Sequence, residues 1–322
     1  MPDVRRKRGQ RARTRRRLAV VGIGAFVLVD LALVAVALTS EPAGLAADRG
    51  PVALPSSVAN EQAPTPTPTP TATAPALAVA PTRALSAVDA ETAWRSQAGS
   101  CAPGGTADDL VLESTTSGGG TWSATTVSSE AALAGVDRLQ ATAADTVFVV
   151  GPAGAGCTPS FAQTFTGGAE FRDYPDRLAA AWFVSRTSTS TVHSPAGDRP
   201  APCAVIDLAV AGDARAAVLC GDGTVHRTVD GASTWDAGTA VEGAVALTSG
   251  AGGYLLAASG AAGCDGVAIS SVLDSTTAAA PLGCAPATVD APGAVAVSAA
   301  AGSVWLWAGD AVLVSSDGGR TW

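Results

Sequence analysis

Ser315-Ser316-Asp317-Gly318-Gly319-Arg320-Thr321-Trp322 follows the pattern S-x-D-x-G-x-T-W, and this octad decides the fold of the 322-residue chain. It recurs upstream in worn form. Thr228 to Trp235 (TVDGASTW) keeps Asp230, Thr234 and Trp235, whereas Thr115 to Trp122 (TTSGGGTW) keeps Thr121 and Trp122 but has Ser117 in place of the acid. Thr164 to Phe171 (TFTGGAEF) is weaker still. The terminal aromatics Trp122, Phe171, Trp235 and Trp322 fall about 49, about 64 and about 87 residues apart, the last interval being two steps of about 43 with one octad lost. Such a period marks repeated four-stranded units, hence a β-propeller.

Working outward, the chain from about residue 83 is a run of short apolar segments cut by Gly, Asp and Pro, with no sustained 3.6-residue period, so strands are expected. Segments 205–211, 216–220 and 224–228 lead into one octad, and 294–299, 304–309 and 311–316 lead into the last. Segments 244–249, 254–259 and 266–272 form a unit without an octad. Segments 92–96 with 109–114, and 138–143 with 146–151, open the first two units. The fold class is therefore all-β, a propeller of about five four-stranded blades, with a partial sixth read in residues 179–194. The last unit lacks a fourth strand. Residues 77–80, or those just after them, are expected to supply it and cover the outer edge; a three-stranded last blade is the alternative.

The net charge of -8 conceals a segregation. Residues 1–17 hold nine basic side chains against Asp3, while the chain beyond residue 39 carries 26 acidic residues and 11 arginines. Between them, residues 18–39 are apolar except for Asp30, long enough to cross a bilayer as a helix. Basic residues before a span stay in the cytoplasm, so residues 1–17 are expected there and everything after residue 39 outside. This argues against nucleic-acid binding by the tail. Ala35-Val36-Ala37 offers a signal-peptidase site as the competing reading, but the length of the apolar run favours a retained anchor. Asp30 is a candidate contact with a partner membrane helix. Residues 40–82 contain alternating Pro and Thr from Pro64 to Pro75, which build no core and read as an extended linker.

Cys101, Cys157, Cys203, Cys220, Cys264 and Cys284 all lie beyond the apolar segment, and an even count in an exported domain reads as disulfides. Cys264 and Cys284 bracket one predicted hairpin and Cys203 and Cys220 share a blade, which leaves Cys101 with Cys157. The only histidines are His193 and His226, and no C-x-x-C pair exists, so no metal site is expected. No cofactor motif is present.

The octad resembles the bacterial neuraminidase repeat, or Asp-box, on Ser315, Asp317, Gly319, Thr321 and Trp322, and on Asp230, Thr234 and Trp235. The resemblance implies that each box turns from the third to the fourth strand of a blade. It further implies that the Asp caps turn N–H groups, that Gly takes the positive-φ position, and that the Trp packs into the neighbouring blade. Sialidases of this group use an arginine triad, an Arg-Ile-Pro motif and a Tyr paired with Glu. This chain has no such tripeptide, and its only tyrosines are Tyr174 and Tyr254. Asp173, Asp213, Asp222 and Asp310 sit in predicted turns. The chain is more similar to non-catalytic members such as the photosystem II stability and assembly factor type, although nothing links it to photosynthesis. Nineteen arginines to one lysine point to a high-GC bacterium, an actinobacterium.

The expected function is that of a membrane-anchored, extracytoplasmic propeller that binds an envelope protein or polysaccharide without catalysis. The alternatives are a glycoside hydrolase with carboxylates facing each other across the propeller mouth, and an envelope sensor subunit. Among tryptophans outside the boxes, Trp94, Trp182, Trp305 and Trp307, the last two lie two apart on one strand. They read as a core pair before a ligand platform.

Overall fold

The structure, a computed structural model, describes residues 78–104, 109–127 and 132–322. The tail 1–17, the candidate span 18–39 with Asp30, and the linker up to residue 77 lie outside the described residues. Among the described residues no helix is long and apolar enough to cross a membrane.

The described chain is an all-β propeller of five blades. The first blade is β1 (Arg83–Ala87), β2 (Ala93–Gln97), β3 (Val111–Thr115) and β4 (Ser123–Thr126). The second is β5 (Arg138–Ala141), β6 (Val147–Ala153), β7 (Thr158–Thr164) and β8 (Arg172–Asp173), followed by a single turn of helix, α1 (Pro175–Leu178). A two-stranded hairpin, β9 (Thr191–Ser194) and β10 (Gly197–Pro200), comes next, with Phe183 bridged to His193. The third blade is β11 (Val205–Val210), β12 (Ala216–Cys220), β13 (Thr224–Thr228) and β14 (Thr239–Ala240). The fourth is β15 (Ala244–Gly250), β16 (Gly253–Ser259), β17 (Val267–Leu273) and β18 (Ala280–Ala285). The fifth has three strands, β19 (Val295–Ala300), β20 (Ser303–Ala308) and β21 (Ala311–Ser315). In every sheet consecutive strands pair antiparallel.

Radial position explains the residue choice. Second strands lie between two blades and are buried on both faces, as in Ala216–Cys220 and Ser303–Ala308, so they read as unbroken apolar runs without alternation. Fourth strands lie at the rim, and Ser123–Thr126 is correspondingly polar and exposed. Most of the core lies between blades: Trp94, Leu112 and Leu133 pack with Val147 and Val149 across the first interface, and Ile269 packs with Val304 and Leu306 across the last.

Among the described residues, those before β1 do not supply a fourth strand to the last blade; Leu77 lies outside the described residues. Residues 78–82 form no strand; Ala78 donates its N–H to the Gly221 carbonyl and Thr82 donates to the Gly293 carbonyl, so the segment runs across the ends of two blades. Arg83–Ala87 is the inner strand of its own sheet. The long spacing from Phe171 to Trp235 arises because residues 179–200 insert the hairpin between the second and third blades.

Candidate functional site

Each inner strand is an edge strand of its sheet, so its outward N–H and C=O groups need partners from beyond that sheet. Side chains of neighbouring blades provide them. Ser86 Oγ accepts from the Ala141 N–H at 2.9 Å, Asp207 Oδ2 from the Leu247 N–H at 2.7 Å, and Ser298 Oγ from the Ala87 N–H at 2.9 Å. Between the second blade and residues 182–186, Asp137 Oδ1 accepts from the Arg186 N–H at 3.3 Å. There Arg186 Nε donates to the Val136 carbonyl, and Arg138 Nη1 to the Trp182 carbonyl, both at 3.0 Å. These links surround an axial cavity of about 200 Å³.

The cavity's charges are perturbed by loss of water. Desolvation raises Asp207 to about 6, against the opposing N–H groups of Leu247 and Leu208 and the charge of Arg186. Desolvation likewise raises Asp137 to about 6, with Arg186 opposing. Burial lowers Arg138 to about 10 and lowers Arg186 as well. None of these four residues was singled out by sequence reasoning. The signal available was Asp207 itself, a carboxylate placed inside the apolar run Val205-Ile206-Asp207-Leu208-Ala209.

Two carboxylates with raised pKa are a starting point for glycoside hydrolysis, where one must stay protonated as general acid. Here Asp207 offers one oxygen to Leu208 N–H and the other to Leu247 N–H, so both serve the backbone. Asp137 has a side chain only 1% exposed. The cavity is also smaller than the 300–1,000 Å³ usual for ligand pockets. Tyr254 is buried between blades and pushed up to about 12, chiefly by burial, while Tyr174 packs edge-on to Phe165 beneath Arg177. The two tyrosines do not converge on the axis.

The four octads all occupy third-to-fourth strand positions or follow the third strand. In each, the first hydroxyl accepts the N–H four residues on: Thr115 from Gly119, Thr164 from Gly168, Thr228 from Ala232, Ser315 from Gly319. The third side chain does the same for the eighth-minus-one position. Asp230 Oδ1 accepts from Thr234 N–H and Asp317 Oδ1 from Thr321 N–H, both at 2.9 Å, while Ser117 serves Thr121 and Thr166 serves Glu170. Asp230 is lowered to about 2, first by the Thr234 N–H and then by the Thr234 and Thr228 hydroxyls. Asp317 is lowered further, first by the Thr321 N–H and then by the Ser315 and Thr321 hydroxyls. Trp122 and Trp322 each donate Nε1 to a carbonyl of their own turn, Gly119 and Gly319, and Trp235 donates to the Pro200 carbonyl of the hairpin.

Trp305 and Trp307 are core residues, 0% and 6% exposed. Trp305 donates Nε1 to the Asp89 carbonyl at 2.7 Å and meets Trp122 edge-on. The Arg95 guanidinium lies 4.0 Å from the Trp122 ring centre and 4.7 Å from that of Trp307, and Arg83 lies 4.6 Å from Trp307. First and last blades are thus clasped by alternating cations and rings, and they share no strand among the described residues. The three disulfides are Cys101–Cys157, Cys203–Cys220 and Cys264–Cys284. Among the described residues no group of His, Cys, Asp and Glu could hold a metal ion.

No family model matches the chain, and no curated protein matches it in sequence. Among solved structures it is similar to YCF48 bound to a D1 peptide, at 18% identity over 77% of this chain and 82% of that one, with a TM-score of 0.29. It is similar also to the GH74 xyloglucanase from Xanthomonas campestris, at 15% identity over 74% of this chain and 37% of that one, TM-score 0.30. A third is the GH74 enzyme of Niastella koreensis, at 12% identity over 74% of this chain and 46% of that one, TM-score 0.37. The chain spans less than half the length of either GH74 protein, and no residue role carries over at these identities.

Proposed function

We propose that this chain is a non-catalytic binding module, a propeller that presents its faces to an envelope partner. The observation that supports it is the employment of Asp207, whose two oxygens are both taken by backbone N–H groups, that of Leu208 on its own inner strand and that of Leu247 on the next. A general acid or nucleophile needs a free oxygen facing its substrate. Asp137 Oδ1 likewise accepts from the Arg186 N–H, while its Oδ2 is buried with no hydrogen-bond partner among the described residues, and the outer faces are left for recognition. In this reading residues 18–39 anchor the chain with its N-terminus in the cytoplasm, and the linker through residue 82 sets its reach. Three disulfides fit an oxidising compartment outside the cytoplasm.

The second reading, a glycoside hydrolase acting through Asp137 and Asp207, draws on their shared rise to about 6 beside one cavity. In-cell crosslinking of the full chain, with affinity purification and mass spectrometry, separates the two. A chain lacking residues 83–322 is the control. A partner recovered only with the propeller is the expected result. No partner above control, together with sugar release from envelope glycans that Asp137→Asn abolishes, would overturn the binding reading.

A further inference from the structure

The boxes face one end of the propeller. At the other end, where second strands turn into third strands and each blade hands over to the next, the third, fourth and fifth blades enclose an open groove of about 1,210 Å³. That exceeds the range of small-molecule pockets. Its floor is mostly apolar, with Val79, Val241, Val245, Val289 and Pro292 among its residues, and Val79 remains 47% exposed. Its rim carries Asp222, Glu242, Asp265 and Asp290, all exposed, on four separate loops. No basic residue and no aromatic ring lines it among the described residues. Asp290 shares the field of Arg83, but that guanidinium is committed to the Gly309 carbonyl and the Trp307 ring.

We infer that this groove is the docking site for an extended, basic segment of a partner protein, one alternating Arg or Lys with apolar side chains. The inference rests on the binding reading and names its partner class. Charge complementarity identifies the occupant: a single-sign rim on a domain with 26 acidic residues against 11 arginines beyond residue 39 draws cations and rejects anions. Backbone form follows from the floor. An extended chain sends alternate side chains to opposite sides, so an apolar set rests on the valines while the basic set meets the rim. A sugar chain would call for stacking rings, and none lines the groove among the described residues. Residues 40–77, which lead into Ala78 at the groove's edge, carry Arg49 as their only basic residue and are no charge match.

The test uses the full chain in detergent micelles and fluorescence anisotropy of a fluorescein-labelled peptide of alternating Arg and Val, about ten residues long. One variant combines Asp222→Asn, Glu242→Gln, Asp265→Asn and Asp290→Asn; Asn at 222 can still accept the Thr224 N–H that Asp222 now caps. The control variant removes the same charge elsewhere, with Asp109, Asp145, Asp176 and Asp213 each changed to Asn. The expected result is binding that weakens with salt, falls about tenfold or more in the groove variant and stays near wild type in the control. Equal loss in both variants, no binding at low salt, or a preference for chitosan oligomers over the peptide overturns the assignment. So does binding gained only when residues 1–17 are deleted, since the groove would then belong to the chain's own tail. An envelope partner crosslinked equally well by the groove variant sinks this inference and leaves the binding reading standing. Absence of any partner, with glycan hydrolysis, sinks the binding reading itself.

Discussion

Ser298 of the last blade accepts a hydrogen bond from the backbone N–H of Ala87 in the first at 2.9 Å, across 211 positions of sequence. Both residues are buried. Together with the Arg95 stack it joins the first and last blades, which share no strand among the described residues.

Ser298→Ala leaves the Ala87 N–H buried and unpaired. A loss of about 1–3 kcal/mol is expected in equilibrium denaturation. Ser86→Ala, which strands the Ala141 N–H in the same way, should cost a similar amount. A neutral result for both would show that water replaces these hydroxyls.

The axial carboxylates make stability depend on pH with a defined sign. Asp137 and Asp207 titrate at about 6 when folded and at about 4 when unfolded. Between those values the folded chain holds more protons, so stability rises as pH falls from about 7 towards about 4. Asp230 and Asp317 act oppositely: lowered in the fold, they contribute stability above about 4 that is lost as pH drops through their folded values. Thermal melts should therefore peak near pH 4–5. Asp207→Asn should flatten the rise above that pH while lowering the melting temperature throughout, because an amide nitrogen then faces one of two N–H groups.

Arg95 sits between two rings and pairs with Glu113 at 2.8 Å. Arg95→Ala should cost about 1–2 kcal/mol and alter near-ultraviolet circular dichroism, since Trp122 and Trp307 lose a common neighbour. Arg95→Lys should recover part of the stability, as an ammonium satisfies the rings less well than a stacked plane. Equal effects of both substitutions would reassign the role to the Glu113 pair.

Gly319 has φ 91°, and a Cβ there would lie 3.0 Å from Ile269 Cγ2. Gly319→Ala should destabilise by about 1–2 kcal/mol through the left-handed backbone alone. At the equivalent place Ala232 already bears φ 67°. Asp317→Ala should accelerate hydrogen exchange at the Thr321 amide, whose acceptor it removes, and leave the second-strand amides of Ser303–Ala308 protected.

Replacing Cys203 and Cys220 together by Ala should lower stability by about 2–4 kcal/mol, since the pair ties the entry of the third blade to its buried second strand. Non-reducing peptide mapping should return the three pairs described. Mapping that joined Cys101 to Cys203 would contradict the blade order.

Local sequence carries whatever depends on neighbours a few residues away. The octads place a hydroxyl, a second acceptor and two small residues at fixed offsets, so Ser315–Trp322 reads as a turn wherever it occurs. The apolar runs at 216–220 and 304–309 declare strands buried on both sides. Cysteine spacing within a blade and within a hairpin likewise points to Cys203–Cys220 and Cys264–Cys284, with Cys101 and Cys157 paired only by being left over. Asp137, Arg138, Arg186 and Asp207 were not legible as a group, because they lie on strands and loops up to 70 positions apart and meet only when the inner strands ring the axis. The Arg–Trp clasp between the first and last blades was hidden for the same reason.

Spacing along short stretches of chain specifies the repeated four-strand unit and its turns, whereas the Cys101–Cys157 bridge spans 56 positions and joins two blades. Where the carboxylates lose water, which rings and cations join the first and last blades and which loops share a groove emerge from the fold alone. Those properties depend on which distant edges come to lie within hydrogen-bonding distance, and spacing along the chain does not encode that.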